Sequence, residues 1–194
     1  MKKKKIGLIL ILTTIALPLI FLFAYEPSFT AKGAVEKHFE YENDLRYINK
    51  IEAGQFQAWL FNDENEREYK TFLVKKDGFF YESPLSTYIE HQPDAPLETL
   101  SSIDYADETD VLTLFVVQSQ DSEVAKIEAG EETNRQEKEV EEGEKAVFSW
   151  DRSISFDEMN AAAYGEHGES LYYFGIEQDN TANVDNVGWF EIEK

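Results

Sequence analysis

Acid–base or metal chemistry in this chain would start from its three histidines, His38, His91 and His167. His167 stands in GEHGES between Glu166 and Glu169. One histidine with flanking glutamates can join a metal site, but no HExxH pattern or second clustered histidine accompanies it. The segment reads as a polar turn. His38 falls on the apolar face of a helical pattern and reads as a packed histidine. His91 lies in a proline-containing stretch, HQPDAPLE.

Other patterns come close to known chemistry and miss. In GESLY, Gly168 and Ser170 fit a nucleophile elbow, but Tyr172 replaces the second glycine and a strand follows instead of a helix. In DNTANVD, the alternation of Asp179, Thr181, Asn183 and Asp185 resembles a calcium loop. Val184 takes the place of the required glycine and Phe190 that of the bidentate glutamate, which excludes an EF-hand and leaves only an irregular calcium site. No glycine-rich phosphate loop or dinucleotide fingerprint occurs. The chain has no cysteine, so disulfides, thiolate metal sites, a cysteine nucleophile and cysteine lipidation are ruled out. Glycoside hydrolysis needs two carboxyl groups across a cleft, and 39 acidic residues offer too many pairs to single one out. No residue is assigned as catalytic, cofactor-binding or metal-ligating, and no cofactor is expected.

The elements that would position such groups are mostly strands. PSFTAKGAVEKHFEYEN has helix grammar: Ser28 or Thr30 can cap it, Ala31, Ala34, Val35, His38 and Phe39 share a face, and Asn43-Asp44 ends it. LRYINKIE alternates with Leu45, Tyr47 and Ile51 on one face. QFQAWLF sets Phe56, Ala58 and Leu60 against Trp59 and Phe61. REYKTFLVKK and FFYES flank the hairpin signal Asp77-Gly78. Residues 28–90 thus read as a small helix-plus-antiparallel-meander unit. Residues 91–97, with Pro93 and Pro96, read as a linker. In residues 98–194 the patterns DVLTLFVVQ, SEVAKIEA, NRQEKEV, KAVFSW, MNAAAYG, SLYYFGI and NVGWFEI predict a β-sandwich-like domain. YGEHGES joins two of these strands as a hairpin loop. The glutamate-rich stretch 128–144 reads as a solvent-facing hairpin whose acids discourage edge pairing. KIEAG occurs at 50–54 and 126–130, but identity stops on either side, so it is no repeat. Trp59, Trp150 and Trp189 lie inside strand patterns and read as core. The predicted class is α+β, mostly β.

The most specific stretch is the first. Four lysines, Lys2 to Lys5, precede twenty uncharged residues from Ile6 to Tyr25. As a helix these span about 30 Å, the thickness of a bilayer's hydrocarbon, whereas a signal-peptide core runs about 7–15 residues. Residues 1–27 are therefore expected to be a transmembrane anchor or uncleaved signal, with the amino terminus cytoplasmic and the body outside. Pro18 and Ala24 point towards cleavage, while Leu22 sits where a peptidase site wants a small residue. Beyond the lysines, 14 basic residues face 39 acidic ones, a formal charge of −25. Such a surface repels phosphate backbones, which sets nucleic acid aside. Aromatics at 14% supply material for a core and argue against disorder.

The order of parts resembles a loose group of uncharacterised, amino-terminally anchored extracytoplasmic proteins of Gram-positive bacilli. The resemblance rests on AVEKHFEYENDLRYINKIEAGQFQAWLF, KAVFSWD, NAAAYGEHGESLYYFGI and VGWFEIEK. It implies a single-pass envelope protein and carries over no catalytic residue.

These readings lead to an expected function: a membrane-tethered extracytoplasmic binding or interaction module without catalysis. Its expected partners are the bilayer, through the amino-terminal helix, and an envelope protein. The alternatives are an envelope hydrolase using a carboxylate pair and a calcium-stabilised structural domain.

Overall fold

A computed structural model describes Thr14, residues 28–176 and residues 187–192. The apolar run Ile6–Tyr25, Thr14 apart, and the DNTANVD segment lie outside the described residues. Among those described, no helix is long and apolar enough to cross a membrane.

The described chain is mostly β, with three antiparallel sheets and little helix. Helix α1 spans Ala31–Glu36, capped by Thr30, whose hydroxyl accepts from the Gly33 N–H. It is shorter than the pattern to Asn43 predicts. Six residues barely repay helix nucleation. Beyond Lys37 the chain turns so that the Tyr41 ring packs edge-on against Phe61 and Phe72.

The first sheet is a meander of β1 (Arg46–Ala53), β2 (Phe56–Asp63), β3 (Glu68–Asp77) and β4 (Phe80–Glu90). Strict alternation in β2 sends Phe56, Ala58 and Leu60 to one core, and Trp59 and Phe61 to the other. In β1 the expected alternation breaks. A bulge between Tyr47 and Asn49 shifts the register, so Tyr47 meets Trp59 and Phe61 while Ile51 joins the opposite face. One extra residue flips every later side chain to the other side of the sheet. Strand β4 runs through Pro84, which is tolerable because β4 is an edge and the register slips there.

The second sheet comprises β5 (Leu97–Ala106), β6 (Val111–Ser119) and β9 (Lys145–Trp150). The third orders β12 (Val187–Glu191), β11 (Ser170–Ile176), β10 (Ala162–Tyr164), β7 (Lys126–Ala129) and β8 (Gln136–Glu139). The hairpin at YGEHGES and the acidic hairpin β7–β8 lie where the patterns place them, with β8 at the sheet edge. Strand β5 has no alternating pattern, because a bulge between Thr99 and Ser101 breaks it: Leu97 enters one core, and Leu100 and Ile103, three positions apart, enter the other.

Strand β6 explains the layering. Leu112, Leu114 and Val116 enter a cluster with Leu60, Leu73 and Ile51 of the meander. Phe115 and Val117 enter another with Ile127, Phe148 and Ala163. The three-stranded sheet is therefore the middle layer, buried on both faces, and this is why DVLTLFVVQ runs apolar without alternation from Leu114 to Val117. The helix covers the far face of the meander through Ala34, Val35, Phe72 and Val74. One hydrophobic cluster thus draws on residues from both sides of the Pro93–Pro96 stretch.

Candidate functional site

Where the meander meets the other two sheets, a cleft of about 550 Å³ opens. One wall comes from the start of β3 and the end of β4, with Glu66, Glu68, Tyr88 and Glu90. The other comes from β5, β11, β12 and a 3-10 turn at Phe156–Glu158, with Glu98, Phe156, Phe174 and Trp189.

The aromatic wall is a set of edge-on and tilted ring contacts. Phe174 lies 5.4 Å from both Phe156 and Trp189 by ring centroid, and 4.9 Å from the buried Phe115. The Trp189 indole N–H donates to the Thr99 hydroxyl at 3.2 Å, fixing the ring.

The acidic wall follows from strand register. Glu68 and Glu90 are direct cross-strand partners. Like charges in that relation are destabilising. Burial pushes the Glu68 carboxyl up, and the charges of Glu66, Asp63 and Glu90 add to this, while Lys70 opposes. Lys70 is itself committed to Asp63 at 2.7 Å and Glu42 at 3.7 Å. The acidic hairpin handles the same problem differently. Glu128 and Glu137 are also cross-strand partners, but Lys126 lies 2.7 Å and 3.0 Å from them, and Arg135 2.8 Å from Glu128. Among the described residues, Glu66, Glu68 and Glu90 form no ion pair.

At the back of the cleft Glu98 is 2% exposed. Its Oε1 lies 2.6 Å from His91 Nδ1 and accepts from the Gln92 N–H at 2.7 Å. Its Oε2 accepts from the Tyr69 hydroxyl at 3.0 Å and from Gln120 Nε2 at 3.2 Å. Burial, and then the Glu98 charge, push the Tyr69 hydroxyl well above its ordinary range. With four partners, Glu98 acts as a strut joining β3, β5 and the proline stretch.

The histidines do not converge. His38 sits past the end of α1, stacked on Phe39 and edge-on to Phe72, where burial lowers its pKa. His167 is exposed in the β10–β11 loop, and its backbone N–H donates to Glu169. Only His91 borders the cleft region, through Glu98. No group of three histidine, aspartate or glutamate side chains suited to a metal occurs among the described residues.

Elsewhere, charged clusters serve the frame. Lys75 of β3 lies 2.7 Å from Asp107 in the β5–β6 turn and also pairs with Asp110. Asp107 accepts from the Tyr105 hydroxyl and from the N–H groups of Thr109 and Asp110. The Lys75 contact and these bonds hold the Asp107 carboxyl far below its usual range. Asp63 caps the β2–β3 turn by accepting from the N–H groups of Asn65 and Glu66.

The cleft was not legible in the sequence. Glu68 and Glu90 are 22 positions apart, and only pairing across the sheet makes them neighbours. The buried Glu98 sits in a strand without periodicity, so nothing marked it as inward-facing. The one available signal was the adjacency of His91 and Glu98 to the prolines.

Fold and cleft together define a three-sheet antiparallel β protein with an acidic, aromatic-backed cleft. No family profile, curated protein or solved structure matches the chain.

Proposed function

We propose that this chain is a membrane-tethered extracytoplasmic binding module of the bacterial cell envelope, without catalysis, and that the cleft holds its protein partner. The observation that carries this reading is the contrast between the two cross-strand glutamate pairs. Glu128 and Glu137 have their own cations, whereas Glu68 and Glu90 have no ion pair and line a cleft that Phe156, Phe174 and Trp189 also line. Carboxylates beside exposed ring faces suit a cationic, partly apolar segment of another protein. The anchor that fixes such a module outside the membrane is the apolar run Ile6–Tyr25 behind four lysines.

A photo-crosslinking residue at Tyr88, on the cleft rim, tests the reading in intact membranes. A discrete adduct is expected there, absent with the same residue at Glu139 on the β8 edge, and absent after Glu68→Gln with Glu90→Gln. An adduct pattern that ignores those two substitutions sinks the proposal.

A second reading, an envelope hydrolase, draws on one specific observation: the Glu68 carboxyl is raised beside the carboxyl groups of Glu66 and Glu90. A carboxyl group raised above its ordinary value beside a second carboxyl group is the kind of pair that acid–base hydrolysis draws on. Turnover of envelope polysaccharide that disappears in Glu68→Gln would select it over the binding module.

A further inference from the structure

Phe29 and Phe79 are among the most exposed large apolar side chains described, 63% and 88% accessible. Both lie at one end of the meander. Phe79 is at the tip of the β3–β4 hairpin, beside Gly78, whose φ of 57° makes the turn. Phe29 packs edge-on against Phe80 with centroids 5.2 Å apart. The contact is held by a β-bridge between Ser28 and Tyr81, in which the Ser28 carbonyl accepts from the Tyr81 N–H at 2.7 Å.

Chain length adds a constraint. The uncharged run ends at Tyr25, three residues before Ser28. Three residues reach at most about 10 Å. If the run spans the bilayer, the end of the sheet that bears Phe29 and Phe79 cannot stand far from the lipid surface. Aromatic rings are favoured at the boundary between headgroups and acyl chains. The exported part carries a formal −25, so attraction to lipid must come from the rings and not from net charge.

We propose that this end of the meander rests on the bilayer surface, with the Phe29 and Phe79 rings in the headgroup boundary. The proposal rests on the reading of Ile6–Tyr25 as a retained anchor and adds an orientation to it. The strands of the meander then point away from the membrane. The cleft, at the opposite ends of β3 and β4, is held out from it by roughly the length of β4, about 35 Å at 3.3 Å per residue.

The chain has no cysteine, so a single probe can be placed cleanly. The full chain, inserted into phosphatidylcholine vesicles, would carry a fluorophore at Asp77→Cys, beside both intact rings. A control carries it at Glu64→Cys, in the β2–β3 turn at the far end of the sheet. The Asp77 probe is expected to be quenched by lipid-borne quencher and shielded from water-soluble quencher, with the Glu64 probe showing the reverse. Adding Phe29→Ser and Phe79→Ser should bring the Asp77 probe to the Glu64 pattern. Protein that survives alkaline extraction while both probes behave alike overturns the orientation and leaves the anchor standing. Shielding of the Asp77 probe from both quenchers also overturns it, because protein then covers that face. Loss of the protein on extraction removes the anchor and the orientation together.

Discussion

His91 Nδ1 lies 2.6 Å from Glu98 Oε1, so the two ends of the proline stretch are tied to each other across seven positions. Through the same carboxyl group the stretch is tied to Tyr69 on β3. Pro93 and Pro96 interrupt the strands without freeing the chain on either side.

Removing the Glu98 carboxyl group would leave the buried Tyr69 hydroxyl without its acceptor and take from the Gln92 N–H its partner. Glu98→Leu is expected to lower stability by about 3 kcal/mol, Glu98→Gln by less, and Tyr69→Phe by about 1.5 kcal/mol. Urea denaturation of the three variants checks the order.

Lys75 and Asp107 make a pH-dependent clasp between β3 and the β5–β6 turn. The Asp107 carboxyl is depressed in the folded protein, chiefly by Lys75. Its contribution is present above the ordinary aspartate value near 3.8 and is lost as pH falls below it, since the unfolded chain then binds the extra proton. Lys75→Met should flatten the acid limb of a stability–pH curve below about pH 4.

The Glu68–Glu90 pair predicts a trade between stability and binding. Glu90→Lys replaces a like-charge neighbour by an opposite one and should stabilise the protein by about 0.5 kcal/mol at pH 7, while abolishing the Tyr88 adduct. The raised Glu68 carboxyl has its own signature. Its contribution is fullest below the ordinary glutamate value of 4.5 and is lost as pH rises through the folded pKa. Stability measured against pH should lose that component in Glu68→Gln.

The middle sheet couples two cores. Leu114→Ala and Phe115→Ala truncate neighbouring residues of β6 that are both fully buried but point to opposite layers. Each is expected to cost about 3–5 kcal/mol. Both should shift one common melting transition in calorimetry. Two separable transitions, each answering to one variant, would show that the layers unfold independently.

Gly130 turns with φ 107°, and a Cβ there would lie 2.9 Å from the Trp150 ring and 3.0 Å from the Asn134 carbonyl oxygen. Gly54 also has a positive φ, but nothing lies within 4 Å. Gly130→Ala should therefore cost about 2–4 kcal/mol and Gly54→Ala about 1 kcal/mol, readable as a difference in thermal midpoint.

Much of the strand content could be read directly. QFQAWLF, KAVFSW and SLYYFGI alternate or run apolar because each has a buried face, and burial acts on residues i and i+2 whatever the rest of the fold does. The Asp77-Gly78 turn is local chemistry and was equally plain. The pattern Leu45-Tyr47-Ile51 does not show the β1 bulge, which is a property of the pairing with β2, and β5 carries no strand pattern for the same reason at Thr99–Ser101. The helix ends well before Asn43 because Tyr41 is drawn away by rings 20 and 31 positions further along the chain.

By itself the sequence determined a mostly β chain with an aromatic core, an acidic surface, and an uncharged run long enough to span a bilayer. These follow from composition and from short periodicities, which need no partner to be expressed. Only the tertiary structure decided that β6 lies between two cores, that Glu68 meets Glu90 with no ion pair for either, and that Glu98 is buried as a strut. Each is a relation between residues brought together by sheet register and layer packing, and register depends on single-residue bulges that no local pattern records.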